Sequence, residues 1–436
     1  MERYAGWTLP SVFPDDPLME YDEMQNDFQS VGAQAVTNLS NKMMMALFQP
    51  SKPFFRMQLT QEQKEELTAE NMSSAQVDAT LAQTERDAMV ELNRINARVV
   101  LNDAIQHLII TGNALLHIPR NDKMQLYSVR DYTIQRDLKG NLVKLIMRET
   151  KAAVALPEDL QAIPDSAGYS EADELSMYTC VRRVDTDKFL IWQELEDICY
   201  CHKAVGYVKE DELEYIPLVW KLCRGKDYGT GLVEDYAGDF HSLSTLAEAI
   251  LDFTTVCTDV KNLVNPTGMT DVRELTQTPS GGYVHGREQD IYSYTAAKEL
   301  GNSAAFLENQ FDKKERRLAA AFLLNTSVTR DAERVTAEEI RMQAHELESS
   351  LGGVYSRLAT ELQLPLAKRL IAKLDDAFKA VEPIIVTGFE SLSRNSDLDN
   401  MRAFIGDLAM LTDVPEEVKA RLKIGDLIAV LGAGHG

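Results

Sequence analysis

The hydrophobic period of this chain switches from helical to alternating at Gly112, and that order limits its folds more than any single motif. Before the switch, Phe28, Val31, Ala35, Leu39, Met43, Ala46 and Leu47 keep the spacing of an amphipathic helix until Pro50 stops it. Helical text resumes from Thr60 to Thr111, with an apolar stripe through Val90, Ile95, Val99, Ile105, Leu108 and Ile109. After Gly112 the segments ALLHIP, MQLYSV, TIQRD and LVKLIMRE read as short strands, with a turn at Gly140–Asn141. Beyond a polar, acidic stretch at 157–176 that reads as a surface loop, LSMYTCVRRV, FLIWQELE, DICYCH and YIPLVWKLC add more strands. Strands that follow a helical block, instead of alternating with helices, argue against a doubly wound βαβ fold and predict an α+β chain.

The second half is dominated by long helices. GKDYGTG at 225–231 reads as a turn leading into helical text from about Val233 to Leu263, which NPTG at 265–268 ends. Residues 265–295 are turn-rich, with PSGG at 279–282 predicting a hairpin, and helical text returns from Ala296 to Leu324. Two long helices thus flank a compact insert of about thirty residues, the geometry of a stalk carrying a small head. A polar connection, LNTSVTRDAERV at 324–335, carries Arg330 and Arg334. Thr336 then precedes Glu339 by the spacing of a capping box, opening a long helix. Ile340, Leu347, Leu351, Val354, Leu358 and Leu362 commit one face of that helix to packing. Gly352 and Gly353 interrupt the face at roughly 1 kcal/mol each against alanine, so the pair marks a bend or a close contact. Pro365 perturbs the same helix, PIIVTG at 383–388 reads as a strand, and 396–430 as helical. At the other end, Trp7–Pro17 is proline-rich and aromatic and reads as an extended arm; no internal repeat is present.

Composition narrows the class. A chain of 436 residues holds two or three compact domains or one elongated subunit of an assembly. Its 44% hydrophobic and 26% charged residues suit a folded chain and exclude global disorder. The longest apolar runs, ALLHIP at 114–119 and AAAFLL at 319–324, fall far short of the ~18–20 residues of a membrane span. The opening MERYAGWTLPSVFP has no basic leader region or apolar core, so synthesis in the cytoplasm without a signal peptide is expected.

Catalytic and metal chemistry find little support. Cys199, Cys201, His202 and Cys223 are the only candidates for a zinc site, but they lack paired C-x-x-C spacing, and reduced cysteines on or under a sheet are expected. In GKDYGTG, Lys226 is followed by Asp227 where a phosphate loop needs Ser or Thr, so a turn before a helix is expected. The seven histidines (His107, His117, His202, His241, His285, His345, His435) form no HExxH, and there is no G-x-S-x-G elbow. The acidic runs Asp15–Asp16 and Glu210–Glu212 read as solvated charge. No enzyme, cofactor or metal is expected.

A formal charge of −23 argues against a protein that grips nucleic acid, though not against one past which DNA must slide. The helix before the insert is acidic, with Glu234, Asp235, Asp239, Glu248, Asp252 and Asp259. The helix after it carries Lys313, Lys314, Arg316 and Arg317, so these charges solvate the helices, pair within the chain, or pair between adjacent copies.

Several segments, in order, resemble one family. They are TLPSVFP near the start, KMMMALF ending the first long helix, TGNALLHIP at 111–119 and YTIQRDLKGNL at 132–142. YGTGLVEDYAGDFHSL at 228–243, LVNPTGMT at 263–270 and, most extensively, RVTAEEIRMQAHELESSLGGVYSRLATELQLPL at 334–366 follow. Together they make the chain similar, over nearly its whole length, to the portal proteins (head-to-tail connectors) of short-tailed, podovirus-type double-stranded DNA bacteriophages.

The resemblance implies an elongated α+β portal-type subunit, twelve copies of which form a ring around a DNA channel at one capsid vertex. It implies a wing of helices and antiparallel sheet at 1–235 with 340–400 contributing, stem helices at 236–263 and 297–322, and a small α/β clip at 264–296. A tunnel loop at 323–336, a tunnel helix at 337–374, a wing return strand at 375–399 and crown-like helices at 400–436 complete it. Thr329, Arg330 and Arg334 would then face DNA from the tunnel loop, with Gly352 and Gly353 hinging the tunnel helix. Asn265, Pro266, Arg273, Gly281, Gly282 and Arg287 would belong to the clip, which docks the terminase and later tail adaptor proteins. Asp252, Asp259, Lys313, Arg316 and Arg317 would join neighbouring stems. The implied partners are eleven further copies, passing duplex DNA, terminase, a tail adaptor, and the major capsid and scaffolding proteins, in a virion assembled in the host cytoplasm. A departure from the family pattern is expected at the ends, with no helix before the proline-rich arm and a short crown-like segment. Other readings are a non-portal virion structural protein, such as an adaptor or inner core protein, and a cytoplasmic hydrolase, for which no motif is present.

Overall fold

The computed structural model describes residues 1–13, 27–49, 53–58, 74–119, 122–152, 154, 170, 174–195, 199–258, 260–324, 346–347, 349–351, 353–374 and 382–385. Its first layer is helical: α1 (Glu2–Gly6), α2 (Val31–Leu47), α3 (Ser74–Arg94) and α4 (Ala97–Thr111). Most of the stripes read from the sequence face inward, whereas Phe28, Val90 and Val99 are more than half exposed because they lie on the outer side of the helical layer. Ala35, Leu39, Met43 and Leu47 of α2 pack against Ile105, Leu108 and Ile109 of α4, all fully buried, together with Leu101, which the stripe had not included. Each such aliphatic side chain contributes roughly 1.5–3 kcal/mol relative to an exposed one. The helical text before Gly112 is two helices and not one. Asn96 separates them at φ 57, a left-handed conformation that Asn tolerates, and the Ile95 carbonyl beside it accepts the Met124 amide at 3.1 Å.

A short helix, α1, does precede the N-terminal arm, contrary to expectation, and the arm is not extended where it is described. Pro10–Val12 forms a 3-10 turn, Ala5 and Val12 are buried in the helical core, and the Gln29 side-chain amide donates to the Trp7 carbonyl at 2.7 Å. Proline at the first position of such a turn is pre-set for its φ and lacks only an amide that has no partner there.

The strands in chain order are β1 (Phe55–Gln58), β2 (Asn113–His117), β3 (Gln125–Tyr127), β4 (Tyr132–Arg136), β5 (Leu142–Ala152), β6 (Glu174–Asp185), β7 (Lys188–Leu195), β8 (Cys199–Lys209) and β9 (Tyr215–Val219). β4 to β8 form a five-stranded antiparallel meander, and β3, β2 and β9 a three-stranded antiparallel sheet with β2 in the centre. All of these follow the helical block, as an α+β chain requires. β2 is the wall shared by two cores: Ala114 and Leu116 point into the helical core, while Leu115 joins Tyr132, Leu145, Val181 and Phe189 under the meander. Alternation along a strand sends successive side chains to opposite faces, so a five-residue segment serves both.

GKDYGTG is a backbone crossing. Gly112 holds φ +77 at the end of α4, and a Cβ there would lie 2.3 Å from the Thr230 carbonyl carbon; one on Gly231 would lie 2.7 Å from the Ile109 and Ile110 carbonyl oxygens. Only glycine permits both the left-handed turn and this approach. Asn113 locks the crossing. Its buried amide donates to the carbonyls of Gly229 (3.0 Å) and Thr111 (2.8 Å) and its oxygen accepts the Gly229 amide at 2.7 Å. The expected turn before a helix is therefore present, and α5 (Leu232–Asp235) follows it.

Beyond lie α6 (Ala237–Thr258), β10 (Val260–Val264), α7 (Val272–Gln277), β11 (Ile291–Thr295), α8 (Ala296–Ala321), α9 (Val354–Leu358) and α10 (Leu364–Leu374). A last strand, β12 (Glu382–Ile385), falls on the expected PIIVTG segment and pairs antiparallel with β1, a strand not anticipated from the sequence. The helix expected to run to Leu263 stops at Thr258. Residues 260–264 are instead a strand paired in register with 291–295, because a short apolar run accepts either period and a partner strand settles it.

Candidate functional site

Helices α6 and α8 run antiparallel. Their base is set by Asp239, whose carboxylate lies 2.7 Å from Lys314 Nζ and 3.4 Å from Arg317 Nε, and their far ends are joined through the β10–β11 pair. The base is also the apolar anchor: Phe322 meets Tyr236 and Phe240 edge-on at 5.9 and 5.6 Å, with Leu243 and Leu318 fully buried beside them. Higher up the pair, burial falls away. Leu251 is 55% exposed, Val256 57% and Phe306 63%.

The segment carried at the far end is small and held together by one carboxylate. Asp290 Oδ2 accepts from the Met269 amide (2.9 Å), the Thr270 amide (3.2 Å) and the Thr270 hydroxyl (2.9 Å). The hydroxyl bond, followed by the two amides, holds this carboxyl below the usual range. Gly268 lies against the same group, where a Cβ would meet Asp290 Cγ at 2.7 Å. Asn265 and Pro266 build the turn into the segment, with the Gly268 amide on the Asn265 carbonyl at 3.0 Å. PSGG is a type II turn, closed by the Gly282 amide on the Pro279 carbonyl at 2.9 Å with Gly281 at φ 92, but no strands flank it, so it is not the expected hairpin. Arg273 lies in α7, whose first turn Asp271 caps, and the Arg287 amide donates to the Thr270 hydroxyl at 3.0 Å. Both arginines are exposed, as are Met269 (75%) and Tyr283 (100%).

After α8 the chain turns sharply at Leu323, which takes φ 55, a rare conformation for a bulky residue. Two side chains of α2 hold it there. Lys42 Nζ donates to the Leu323 carbonyl at 2.6 Å and the Asn38 amide to the same oxygen at 3.1 Å. Burial lowers the Lys42 pKa and the nearby Glu346 charge opposes that shift, so this ammonium stands close to both the end of α8 and the helical residues that resume at 346. Sequence reading missed Lys42 and Asn38. Their only signal was a lysine on the otherwise apolar face of α2, where it is buried.

The helix past this point is interrupted twice. Leu347, Leu351, Leu358 and Leu362 are buried as their spacing predicts, and Val354 is half-buried. Gly353 stands at φ +86 with nothing within 4 Å of an added Cβ, so it is a conformational break and not a close contact. Residues Ala359–Gln363 then widen into a π turn immediately before Pro365. Proline has no amide for the Glu361 carbonyl, and its ring would press on that carbonyl in an α-helix; the wider turn relieves both without ending the helix. The packed face is pinned to the C-terminal end of α2 by Tyr355 (hydroxyl to the Ala46 carbonyl, 3.2 Å) and Gln363 (amide to the Leu47 carbonyl, 2.5 Å).

The sequence-derived positions are not one cluster. Thr329, Arg330, Arg334, Gly352 and Asp259, and the residues of the return segment and crown-like region at 375–381 and 386–436, lie outside the described residues. So does the capping box at Thr336 and Glu339. Arg317 is engaged inside the chain by Asp239, whereas Lys313, Arg316 and Asp252 are exposed. Asp252 is thirteen residues beyond Asp239 on α6, about 20 Å along a helix, so it stands well away from the basic residues 313–317. Among the described residues no cluster of His, Cys, Asp or Glu could hold a metal, and no helix is long and apolar enough to cross a membrane.

Comparison with known proteins identifies relatives over nearly the whole chain. Residues 2–434 match the family described as bacteriophage head to tail connecting protein. The chain is 36% identical to the portal protein of Escherichia phage T7, over 97% of this chain and 82% of that protein. It is 32% identical to the portal protein of Enterobacteria phage SP6 (98% and 82%) and 33% identical to that of Pseudomonas phage phiKMV (92% and 80%). Among solved structures, the neck of an empty GTA particle aligns over 89% of both chains at 11% identity with a TM-score of 0.43.

Proposed function

The chain belongs to the bacteriophage head to tail connecting protein family, and from that premise we propose how its elements act. Its role is that of a portal at the capsid vertex, a structural part of the virion. In our reading twelve copies close into a ring whose stems are α6 and α8, with residues 264–296 as the clip, and duplex DNA passes through the centre during packaging and ejection.

The observation that carries this reading is the exposed helix pair. Leu251, Val256 and Phe306 stand uncovered on two helices that leave the core together, and burying one such side chain contributes roughly 1.5–3 kcal/mol. Neighbouring stems in a ring supply that cover. The clip presents Met269, Val272, Leu275 and Tyr283 at its surface, a patch suited to docking terminase during packaging and a tail adaptor afterwards. Capsid and scaffolding proteins would contact the wing, built from the helical block and the meander. The net charge of −23 fits a channel from which DNA must come free, because a negative wall keeps phosphates from settling into deep wells. Arg330 and Arg334 would supply a transient grip between the stem and the interrupted helix, whose break at Gly353 is the hinge.

Negative-stain microscopy of the purified protein is expected to show twelve-fold rings with a central hole; monomers or filaments would overturn the reading. The double variant Arg330→Ala with Arg334→Ala is expected to keep intact rings and lose DNA retention. Normal packaging and retention by that variant would remove both arginines from the channel.

A further inference from the structure

A cavity of about 450 Å³ lies between the β4–β5 hairpin, the residues that lead into and form β9, and the helix around Pro365. Five cations line it (Arg136, Lys139, Arg357, Lys368 and Arg369) against three carboxylates (Glu210, Asp211 and Glu361), an excess of two positive charges in a strongly acidic chain. The carboxylates are already engaged. Glu210 lies 2.6 Å from Arg183, Asp211 3.0 Å from Lys368, and Glu361 3.5 Å from Arg357.

Arg136, Lys139 and Arg369 form no ion pair among the described residues. The two arginines are instead pinned by carbonyls: Arg136 donates to Gly140 (2.8 Å) and Pro217 (3.2 Å), and Arg369 Nε to Leu213 (2.7 Å). Those bonds fix the guanidiniums without neutralising them. The Arg136 Nε is buried and finds no partner among the described residues. Burial pulls both arginines below their usual range, Arg369 to about 10, and outweighs the opposing pull of the carboxylates near them, Asp211 and Glu214 for Arg369 and Glu361 and Asp227 for Arg136.

We propose that this cavity is a binding site for a small phosphate-bearing anion, held between the β4–β5 hairpin and the π turn beside Pro365. The excess of positive charge favours a multiply charged anion such as pyrophosphate, and guanidinium forks with a neighbouring ammonium suit tetrahedral oxyanions. The volume is that of a small-molecule site, and fixed arginines in a recess favour a free anion over the continuous backbone of a nucleic acid. An anion bound here would tie the sheet to the helix just after its break at Gly353, stiffening the element on which the proposed hinge turns.

Isothermal titration of the assembled full-length protein with inorganic pyrophosphate, at ionic strength held constant with sodium chloride, tests this. Saturable binding is expected, weakened roughly ten-fold in Arg136→Gln and in Lys139→Gln, the loss of one charge-assisted bond. Lys139 is exposed, so its variant keeps the test decisive if Arg136→Gln fails to assemble. Absence of saturable binding, or binding unchanged in Lys139→Gln, would overturn the proposal. Displacement of pyrophosphate by duplex DNA would overturn it as well, by showing that the cavity takes polymer backbone.

Discussion

Asn113 is 1% exposed and its side chain satisfies backbone groups of two segments that are 116 residues apart. Truncation would leave the Gly229 amide and carbonyl buried without those bonds, a loss of about 2–4 kcal/mol. Asn113→Ala is therefore expected to lower the thermal midpoint by several degrees; an unchanged midpoint would show that the glycine crossing holds without its lock. His107 on α4 has a buried Nδ1 with no partner among the described residues, and burial pulls its pKa from 6.5 down to about 4. Above pH 6.5 this neutral side chain makes stability no function of pH. As pH falls from 6.5 to about 4, the unfolded chain takes up a proton that the folded chain refuses, so stability falls across that window, by up to roughly 3 kcal/mol. His107→Leu should flatten that part of the midpoint-versus-pH curve, and an equally steep curve in the variant would assign the slope to other groups. Neither role was legible in the sequence, where Asn113 was one polar letter before a strand and His107 one of seven scattered histidines.

At the scale of elements, the interrupted helix was the most legible part and the most altered. Its buried face followed directly from the spacing of Leu347, Leu351, Leu358 and Leu362. The choice between bending and close packing at the glycines did not, because a glycine code is the same for both. Gly353 settles it for its own position, with a left-handed φ and open space around it. Alanine there would be strained by roughly 1 kcal/mol in the broken form and favoured by a similar amount in a continuous helix, whereas asparagine tolerates the left-handed conformation. Ring reconstructions are expected to show the helix straightened in Gly353→Ala and broken in Gly353→Asn. A break preserved in both would mean that packing, not φ, imposes it. The π turn was invisible beforehand, since proline announces a missing bond but not how the backbone absorbs it.

For the whole molecule, a single chain leaves Leu251, Val256 and Phe306 of the α6–α8 pair exposed, and the proposed ring would cover them. Leu251→Asp with Phe306→Asp is expected to leave a folded subunit, with its helical and meander cores intact, that no longer forms rings in sedimentation velocity. Rings of normal size from that variant would place the subunit contacts elsewhere. For the proposed pairing of charges between neighbouring copies, the intrachain contacts set a geometric condition. Asp239 takes Lys314 and Arg317 within one chain, and Asp252 stands about 20 Å along the helix from that level, so upright neighbours could not join it to the basic cluster without a stagger of that size.

By itself the sequence determined the order of helical and alternating blocks, and hence an α+β chain. It also determined the buried faces of α2 and the interrupted helix, part of that of α4 (Ile105, Leu108 and Ile109, but not Leu101, and wrongly Val99), the helix–insert–helix plan, and the family. These are properties of local spacing, because period states which way side chains point. Tertiary structure alone decided what they point at. It made 260–264 a strand by supplying 291–295, laid Gly112 against Thr230 and Gly231, and brought Lys42 to the Leu323 carbonyl across 281 residues. The physical reason is the same in each case: a hydrogen-bond partner or a close backbone approach is a long-range property, and no local pattern of residues encodes the identity of the distant segment that provides it.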